Sequence, residues 1–367
     1  MRILTIFGTR PEAIKMCPLI LELKTRPDAE VRLCVTGQHR EMLDAVLSCF
    51  GVTPDHDLAV MKRGQTLFDV TARVLERLEP ILRQESPDVV LVHGDTTTTF
   101  AAALAAFYLH IPVGHVEAGL RTGNVESPFP EEFNRRSVSI LSRYDFAPTE
   151  RAKRNLLAEG KDPGGIYVTG NTAIDALKTT VRGDYRHPIL DRAAGKRLIL
   201  ITAHRRENLG EPLRGMFRAI RRLVEEHPDV AAVYPMHLNP AVREAAHEVF
   251  DGCERVMLTE PLDVLDFHNF MANSHLIFTD SGGIQEEAPS LGKPVVVMRD
   301  TTERPEGIEA GTLILAGNRE EPVYETGKRL LEDEELYRRM SRASNPYGDG
   351  LASRRIADVL LKGKTEV

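Results

Sequence analysis

The sequence predicts an α/β chain of two doubly wound, Rossmann-like domains, and three observations carry that prediction. At 367 residues the chain is longer than one ordinary core fills and suits two. Short β-branched apolar runs alternate with longer segments of helical period, the pattern of parallel strands joined by crossover helices. These runs also fall into two sets of six, separated by a polar stretch.

Taken in order, the first set is Ile3 to Phe7, Val31 to Thr36, Val89 to His93, Pro112 to Val116, Asp145 to Ala147 and Ile166 to Thr169. The second is Leu198 to Thr202, Val230 to Tyr234, Arg255 to Leu258, Leu276 to Thr279, Val295 to Met298 and Thr312 to Leu315. Each sheet should be covered by helices on both faces. Between the sets, residues 181–196 are polar and interrupted by Gly183, Pro188 and Gly195, so they read as a linker. The expected domains are therefore 1–180 and 197–349. Glu332 to Glu335 followed by Arg338 and Arg339 reads as one exposed helix with acids early and bases late. After a break at Asn345 to Gly350, a last helix over Leu351 to Leu361 is expected to carry 350–367 back to the first domain.

Composition excludes several function classes. The 47 Lys and Arg against 54 Asp and Glu leave a formal charge of −7, which disfavours nucleic acid and an anionic membrane surface as partners. Cys17, Cys34, Cys49 and Cys253 form no CxxC pair, so neither a disulfide scaffold nor a zinc module is expected, and a reducing, cytoplasmic setting is. No apolar stretch approaches the roughly 18 residues of a membrane helix.

In open α/β sheets ligands bind beyond the carboxyl ends of strands, so the residues just after each strand are the informative ones. After the first strand, Gly8-Thr9-Arg10-Pro11-Glu12 allows close approach of a ligand, with Arg10 and Lys15 as nearby cations and Pro11 suited to a first helical turn. GxGxxG and a phosphate-loop Gly-Lys-Ser/Thr are both missing there, so neither a nicotinamide nor a nucleoside-triphosphate site is supported. His93-Gly94-Asp95 precedes four threonines, where Asp95 could simply cap a helix. Glu117 follows the next strand and Glu131 a loop further on. Three acids converging on one cleft would raise one another's pKa and supply both an acid and a base near neutral pH.

The second domain offers the opposite charge. His204, Arg205 and Arg206 follow its first strand and could hold phosphate. Thr279-Asp280-Ser281-Gly282-Gly283 leads into a helix expected near Ile284, with Ser281 able to cap and the glycines baring backbone amides to an anion. Glu287, one turn inside, would point back toward sugar hydroxyls. Arg299 and Arg304 lie in a further loop. A diphosphate at the Ser281 end and a sugar beside the carboxylates, in a cleft that both domains face, suit a nucleotide-sugar enzyme. The residues alone leave transfer, hydrolysis and epimerisation open.

The ordered motifs 7-FGTRPE-12, 93-HGDTTT-98, 115-HVEAGLR-121, 202-TAHRREN-208 and 279-TDSGGIQEE-287, with 301-TTERPEG-307 and 345-NPYGDG-350, resemble the bacterial non-hydrolysing UDP-N-acetylglucosamine 2-epimerases over nearly the whole chain. That resemblance implies a glycosyltransferase-B type fold, a homodimer, and reversible exchange of UDP-N-acetylglucosamine with UDP-N-acetylmannosamine for cell-surface polysaccharide. It implies neither cofactor nor metal. It places acid/base work on Asp95, Glu117 and Glu131, with His204 near the diphosphate. UDP contacts fall on Arg10, Lys15, Ser281, Gly282, Gly283, Glu287 and Arg304, with Phe267 near the uracil; Leu262 stands where some members carry Gln. A second UDP-N-acetylglucosamine, acting as activator in some members, would meet Gln38, His39, Gln65, Arg205 and His237. Glu41 and Gly64 depart from that pattern, where Gln and Arg would be expected. Three rivals stand beside this reading: a sugar transferase of the same fold, a hydrolysing epimerase, and a sugar-nucleotide sensor for which the acid trio would have no use.

Overall fold

The computed structural model describes residues 1–37, 40–62 and 64–362, side chains of residues 40 and 41 aside. Two compact units are present, Met1–Thr179 with Tyr347–Val367, and Thr180–Pro346.

The first unit is built on β1 (Arg2–Phe7), β2 (Glu30–Val35), β3 (His56–Asp57), β4 (Val89–His93), β5 (Val113–Val116), β6 (Tyr144–Ala147) and β7 (Ile166–Val168). All pair in parallel in the order β3-β2-β1-β4-β5-β6-β7. Six of these strands match the apolar runs of the sequence. The seventh, β3, is two polar residues on the sheet edge, held through Cys34 opposite His56, and so leaves no apolar signature. Central β4 is buried at every residue, as a strand covered on both faces must be. Its apolar side chains pack with Val70, Val74 and Leu78 of helix Leu67–Glu85 and the alanines of helix Thr97–Tyr108.

The second unit repeats the plan with β8 (Arg197–Thr202), β9 (Val230–Pro235), β10 (Val256–Thr259), β11 (Leu276–Thr279), β12 (Val295–Val297) and β13 (Leu313–Leu315), ordered β10-β9-β8-β11-β12-β13 and parallel throughout. Its core joins Phe217, Ile220 and Leu223 of the strongly amphipathic helix Glu211–Glu226 to Tyr234, Phe250 and Phe278.

Two stretches differ from the expectation. Residues 181–196 carry a short helix, Pro188–Arg192, and pack on helix Val264–Asn273 of the second unit. The Arg182 amide donates to Asn269 at 2.9 Å, the Tyr185 hydroxyl donates to Asp266 at 2.5 Å, and the His187 ring meets Phe270 edge-on. Their polarity thus reflects hydrogen bonding to a neighbour. The acidic run past 331 is split between helices Glu320–Glu332 and Glu334–Ser341, because the Asp333 side chain accepts the Leu336 amide and starts a new helix.

The final helix, Ala352–Lys362, lies on helix Arg10–Lys24 within the first unit. Asp175 accepts the amides of Ala352 and Ser353, at 3.2 and 2.8 Å, and Arg26 pairs with Asp358 at 3.1 Å.

Candidate active site

Strand order reverses direction in each sheet at one place, between β1 and β4 and again between β8 and β11. Helices leave opposite faces there and open a crevice at the strand ends. Asp95, Glu117, Arg10, Lys15, His204 and Ser281 to Gly283 follow these four strands and their neighbour β5, whereas Phe267 and Arg304 follow β10 and β12.

In the first unit, Gly8 follows β1 and must be glycine: a Cβ there would stand 2.0 Å from the Thr36 hydroxyl. Thr9 and Glu12 form a capping box on helix Arg10–Lys24. Glu12 is buried, accepting amides of Gly8 and Thr9 at 3.0 and 2.7 Å and hydroxyls of Thr96 and Thr99 at 2.8 and 3.0 Å. It therefore ties the β1 turn to the helix after β4. Burial raises its pKa against these hydrogen bonds.

Asp95 is not the cap. Thr96 occupies that position and accepts the Thr99 amide, which frees the Asp95 carboxylate to pair with Arg135. Asn134, beside Arg135, donates to the Asp95 carbonyl at 2.9 Å. Burial is the main cause raising the Asp95 pKa; Arg135 opposes it and the charge of Glu117 adds to it. Crowding of acids, expected as the source of the shift, is thus secondary to desolvation.

Glu117 follows β5 with φ 64°, a left-handed backbone that a residue with a Cβ seldom adopts. Such strain persists where surroundings over-determine it, commonly at functional sites. Its carboxylate pairs with Lys15 and accepts from Asn171 at 3.1 Å, and His93 Nε2 lies 3.7 Å away. Lys15, expected as a UDP contact, thus sits on a catalytic candidate. Glu131 opens helix Glu131–Leu141 on the face that carries Asn134 and Arg135, and its Oε2 is buried without a hydrogen-bond partner.

In the second unit Asp280 organises the site. It is fully buried after β11, and its Oδ2 accepts the amides of His204 and Arg205 at 2.9 and 2.8 Å. Arg205 Nε also donates to the Asp280 carbonyl at 2.9 Å. The loop after β8 is thereby fastened to β11. The His204 and His237 rings stack 5.0 Å apart, and burial together with His204 lowers the His237 pKa. A cavity of about 550 Å³ is lined by His204, Arg205, Arg206, Glu207, His237, Asn239 and Ser281. Arg205 and Arg206 with the neutral donors Asn239 and Ser281 suit a phosphate group, and Glu207 is the one carboxylate among the described lining residues.

Ser281 precedes a helix of only six residues, Gly282–Glu287, and its hydroxyl makes no cap hydrogen bond. Pro289 belongs to the 3₁₀ turn that follows. The Arg304 guanidinium lies against Gly282, where a Cβ would be 3.4 Å from it, and donates to buried Glu286 at 2.6 Å. The Glu287 carboxylate reaches back beside Gly283, where a Cβ would be 3.8 Å from Oε1, and its Oε2 lies 3.5 Å from His268. Phe267 is half-buried on helix Val264–Asn273, in the turn after its N-cap, Asp263.

Of the activator positions, Gln38 and His39 lie outside the described residues. Gln65 accepts from the Lys62 amide at 3.0 Å, while Arg205 and His237 line the cavity of the second unit. Gly64 has φ 73°, a conformation that an Arg would adopt only under strain. Sequence reasoning missed Glu12, Arg135, Asn171 and the role of Asp280. The partners of Arg135, Asn171 and Asp280 come from other elements, so no periodicity marks them; Glu12 carries a local signal, the Thr9-x-x-Glu12 spacing of a capping box. Among the described residues no cluster of three metal-ligating side chains occurs, and no helix is long and apolar enough to cross a membrane.

Residues 21–361 match the protein family described as UDP-N-acetylglucosamine 2-epimerase. The chain is 62% identical over 361 residues to UDP-N-acetylglucosamine 2-epimerase of Bacillus subtilis (strain 168), covering 98% of this chain and 95% of that one. A crystal structure of UDP-GlcNAc 2-epimerase from Neisseria meningitidis bound to UDP-GlcNAc superposes with a TM-score of 0.89 at 50% identity, covering 99% of this chain and 100% of the other. At 13% identity and a TM-score of 0.68, the glycosyltransferase of kitacinnamycin matches 98% of both chains and bears on the fold alone.

Proposed function

This chain belongs to the UDP-N-acetylglucosamine 2-epimerase family, and we propose that it acts without hydrolysis, eliminating UDP to 2-acetamidoglucal and adding it back. A carboxylate takes the C2 proton as the C1–oxygen bond breaks and its electron pair leaves with UDP. The glucal then accepts a proton at C2 on the opposite face, and UDP returns to C1. The observation that carries this reading is the pair Asp95 and Glu117, brought together at the ends of β4 and β5 with one pKa raised by burial. A weakly acidic C–H needs such a base, and delivering a proton to the opposite face needs a second group as the acid. Glu131 completes the acid set.

The second unit's part is electrostatic. Departing UDP gains charge at its β-phosphate, where His204 and Arg304 stabilise the transition state more than the ground state; Arg10 of the first unit has the same role. Ser281, Gly282 and Gly283 offer backbone amides, Glu287 takes ribose hydroxyls, and Phe267 packs on the uracil. Lys15, paired with Glu117, is a further UDP contact that the resemblance implies.

Incubation with UDP-N-acetylglucosamine in heavy water, followed by NMR, tests this directly. Deuterium at C2, both UDP sugars and little free sugar are expected. Stoichiometric free N-acetylmannosamine would establish the hydrolysing alternative, and an unlabelled C2 would remove both.

Three further parts of the proposal follow the resemblance. The activator reading predicts a lag in turnover of UDP-N-acetylmannosamine that traces of UDP-N-acetylglucosamine abolish; hyperbolic progress without lag counts against it. The homodimer is supported by an apolar face on helices Thr97–Tyr108 and Glu131–Leu141, where Phe107, Tyr108, Phe133 and Ile140 are 50–80% exposed. Light scattering should give twice the 40.9 kDa chain mass, falling to one chain mass in Ile140→Asp. Cytoplasmic supply of N-acetylmannosamine to surface polysaccharide predicts its loss from the envelope of a deletion strain, and an unchanged envelope would contradict it.

A further inference from the structure

The two strands that deliver the acids end alike, His93-Gly94-Asp95 on β4 and His115-Val116-Glu117 on β5. They pair so that His93 stands opposite Val116 and His115 opposite Val92. Both histidines are buried. The mechanism above uses neither.

His115 Nε2 lies 2.7 Å from the Gly94 carbonyl oxygen. A carbonyl only accepts, so this nitrogen carries the hydrogen. The other ring nitrogen, Nδ1, is 3.9 Å from Asp145 and has no hydrogen-bond partner. Burial pushes the ring down to about 4, so it stays a neutral, single-tautomer donor at neutral pH. Gly94 itself has φ 67°, and its amide donates to the Val116 carbonyl at 2.9 Å. Glycine has wide conformational freedom, so the residue before Asp95 would wander unless held. Here β5 holds it at both ends, by Val116 and by His115. Glu117 leaves the same strand two residues after His115.

His93 is the mirror case and shows the contrast. Its Nε2 faces Glu117 across 3.7 Å but makes no hydrogen bond, so it fixes nothing there.

We propose that His115 is a positioning residue for the epimerisation: the N–H it gives to the Gly94 carbonyl sets where Asp95 stands relative to Glu117. This rests on the reading that those two acids act at C2. Misplacing a reacting group by about 1 Å can lower a rate on the order of 100-fold without weakening substrate binding.

His115→Gln and His115→Met fill similar space, but only Gln returns an N–H near the place of Nε2. Both should be assayed for kcat, KM, C2 deuterium exchange and UDP affinity, with melting temperature recorded. The Met variant is expected to lose roughly 10–100-fold in kcat and in exchange, with KM and UDP affinity within about twofold. The Gln variant should recover most of that loss at a matched melting temperature. Equal behaviour of the two, wild-type rates in the Met variant, or KM and UDP affinity changing in step with kcat would each overturn the proposal. The wild-type protein supplies a test that needs no variant: ¹⁵N NMR should show His115 protonated at Nε2 with slow solvent exchange, and protonation at Nδ1 instead would also overturn it. Asp95→Asn, run in parallel, separates the two levels. Normal exchange in that variant removes the reading of Asp95 itself, whereas its loss beside an unimpaired Met variant removes only the role of His115.

Discussion

Replacing Asp95 by Asn is expected to slow C2 proton exchange by roughly 10²–10⁴-fold, the usual worth of a positioned acid or base, while UDP affinity stays within about twofold. The separation follows from where each group sits. Asp95 belongs to the first unit, on the β4 turn, whereas the proposed diphosphate seat at Ser281 to Gly283 and Arg304 belongs to the second. Asn also preserves much of the local frame. Its side-chain oxygen can still accept from Arg135, which keeps Glu132 at 3.4 Å as a second partner, and Asn134 still reaches the main-chain carbonyl. What Asn removes is the proton-accepting charge.

The raised pKa of Asp95 gives this prediction two signs to check. Acting as a base, the group must be ionised, so exchange should fall as pH drops through its pKa, above the ordinary aspartate value of about 3.9. For stability the direction reverses: a raised folded pKa means folding favours the neutral carboxyl, and stability declines as pH rises from the unfolded value to the folded one. An uncharged Asn escapes that decline and should not lower the melting temperature at neutral pH. A variant that unfolds early would show that Asp95 is structural, and one that exchanges C2 normally would remove Asp95 from the chemistry.

The balance between the legible and the hidden parts has a physical origin. Parallel strands buried on both faces write themselves as β-branched runs, so β1, β4, β8 and β11 are visible in sequence, and the turn residues after them with them. Strand β3 is two polar residues at an edge and writes nothing. Glu117 carries its acid openly, but its left-handed backbone is invisible because only Gly and, less often, Asn or Asp announce that conformation. Arg135 and Asp280 show as ordinary charges until the fold brings them to Asp95 and to the His204 loop.

Asp280→Ala is expected to weaken UDP binding about 10–100-fold and to lower the melting temperature by several degrees. A buried carboxylate beside a proposed anion seat looks unfavourable, because like charges repel. Its geometry explains its presence. Oδ2 accepts two successive amides, of His204 and Arg205, and these orient the loop whose side chains line the cavity. Alanine leaves both donors without that partner, and a buried donor left unsatisfied costs about 1–3 kcal/mol. Partial access of water to this half-buried loop places the total near the lower end of the sum. At about 2–4 °C per kcal/mol for a unit of this size, about 2 kcal/mol gives a fall of roughly 4–8 °C. Binding suffers because the loop, once released, no longer presents His204 and Arg205 in one arrangement, and ordering it again is charged against the affinity; tenfold in Kd corresponds to about 1.4 kcal/mol. Asp280→Asn should fall between, since its oxygen can keep the two amides while its NH₂ replaces Oδ1, an atom that has no hydrogen-bond partner to lose. The C2 acids are untouched in either variant, so at saturating substrate the exchange rate should recover more than the affinity does. UDP titration by calorimetry, beside thermal melting of the three proteins, reads the order directly. An alanine variant that binds UDP like the parent would mean that the loop after β8 holds its shape without Asp280 and that the diphosphate seat is organised by the Ser281 turn alone.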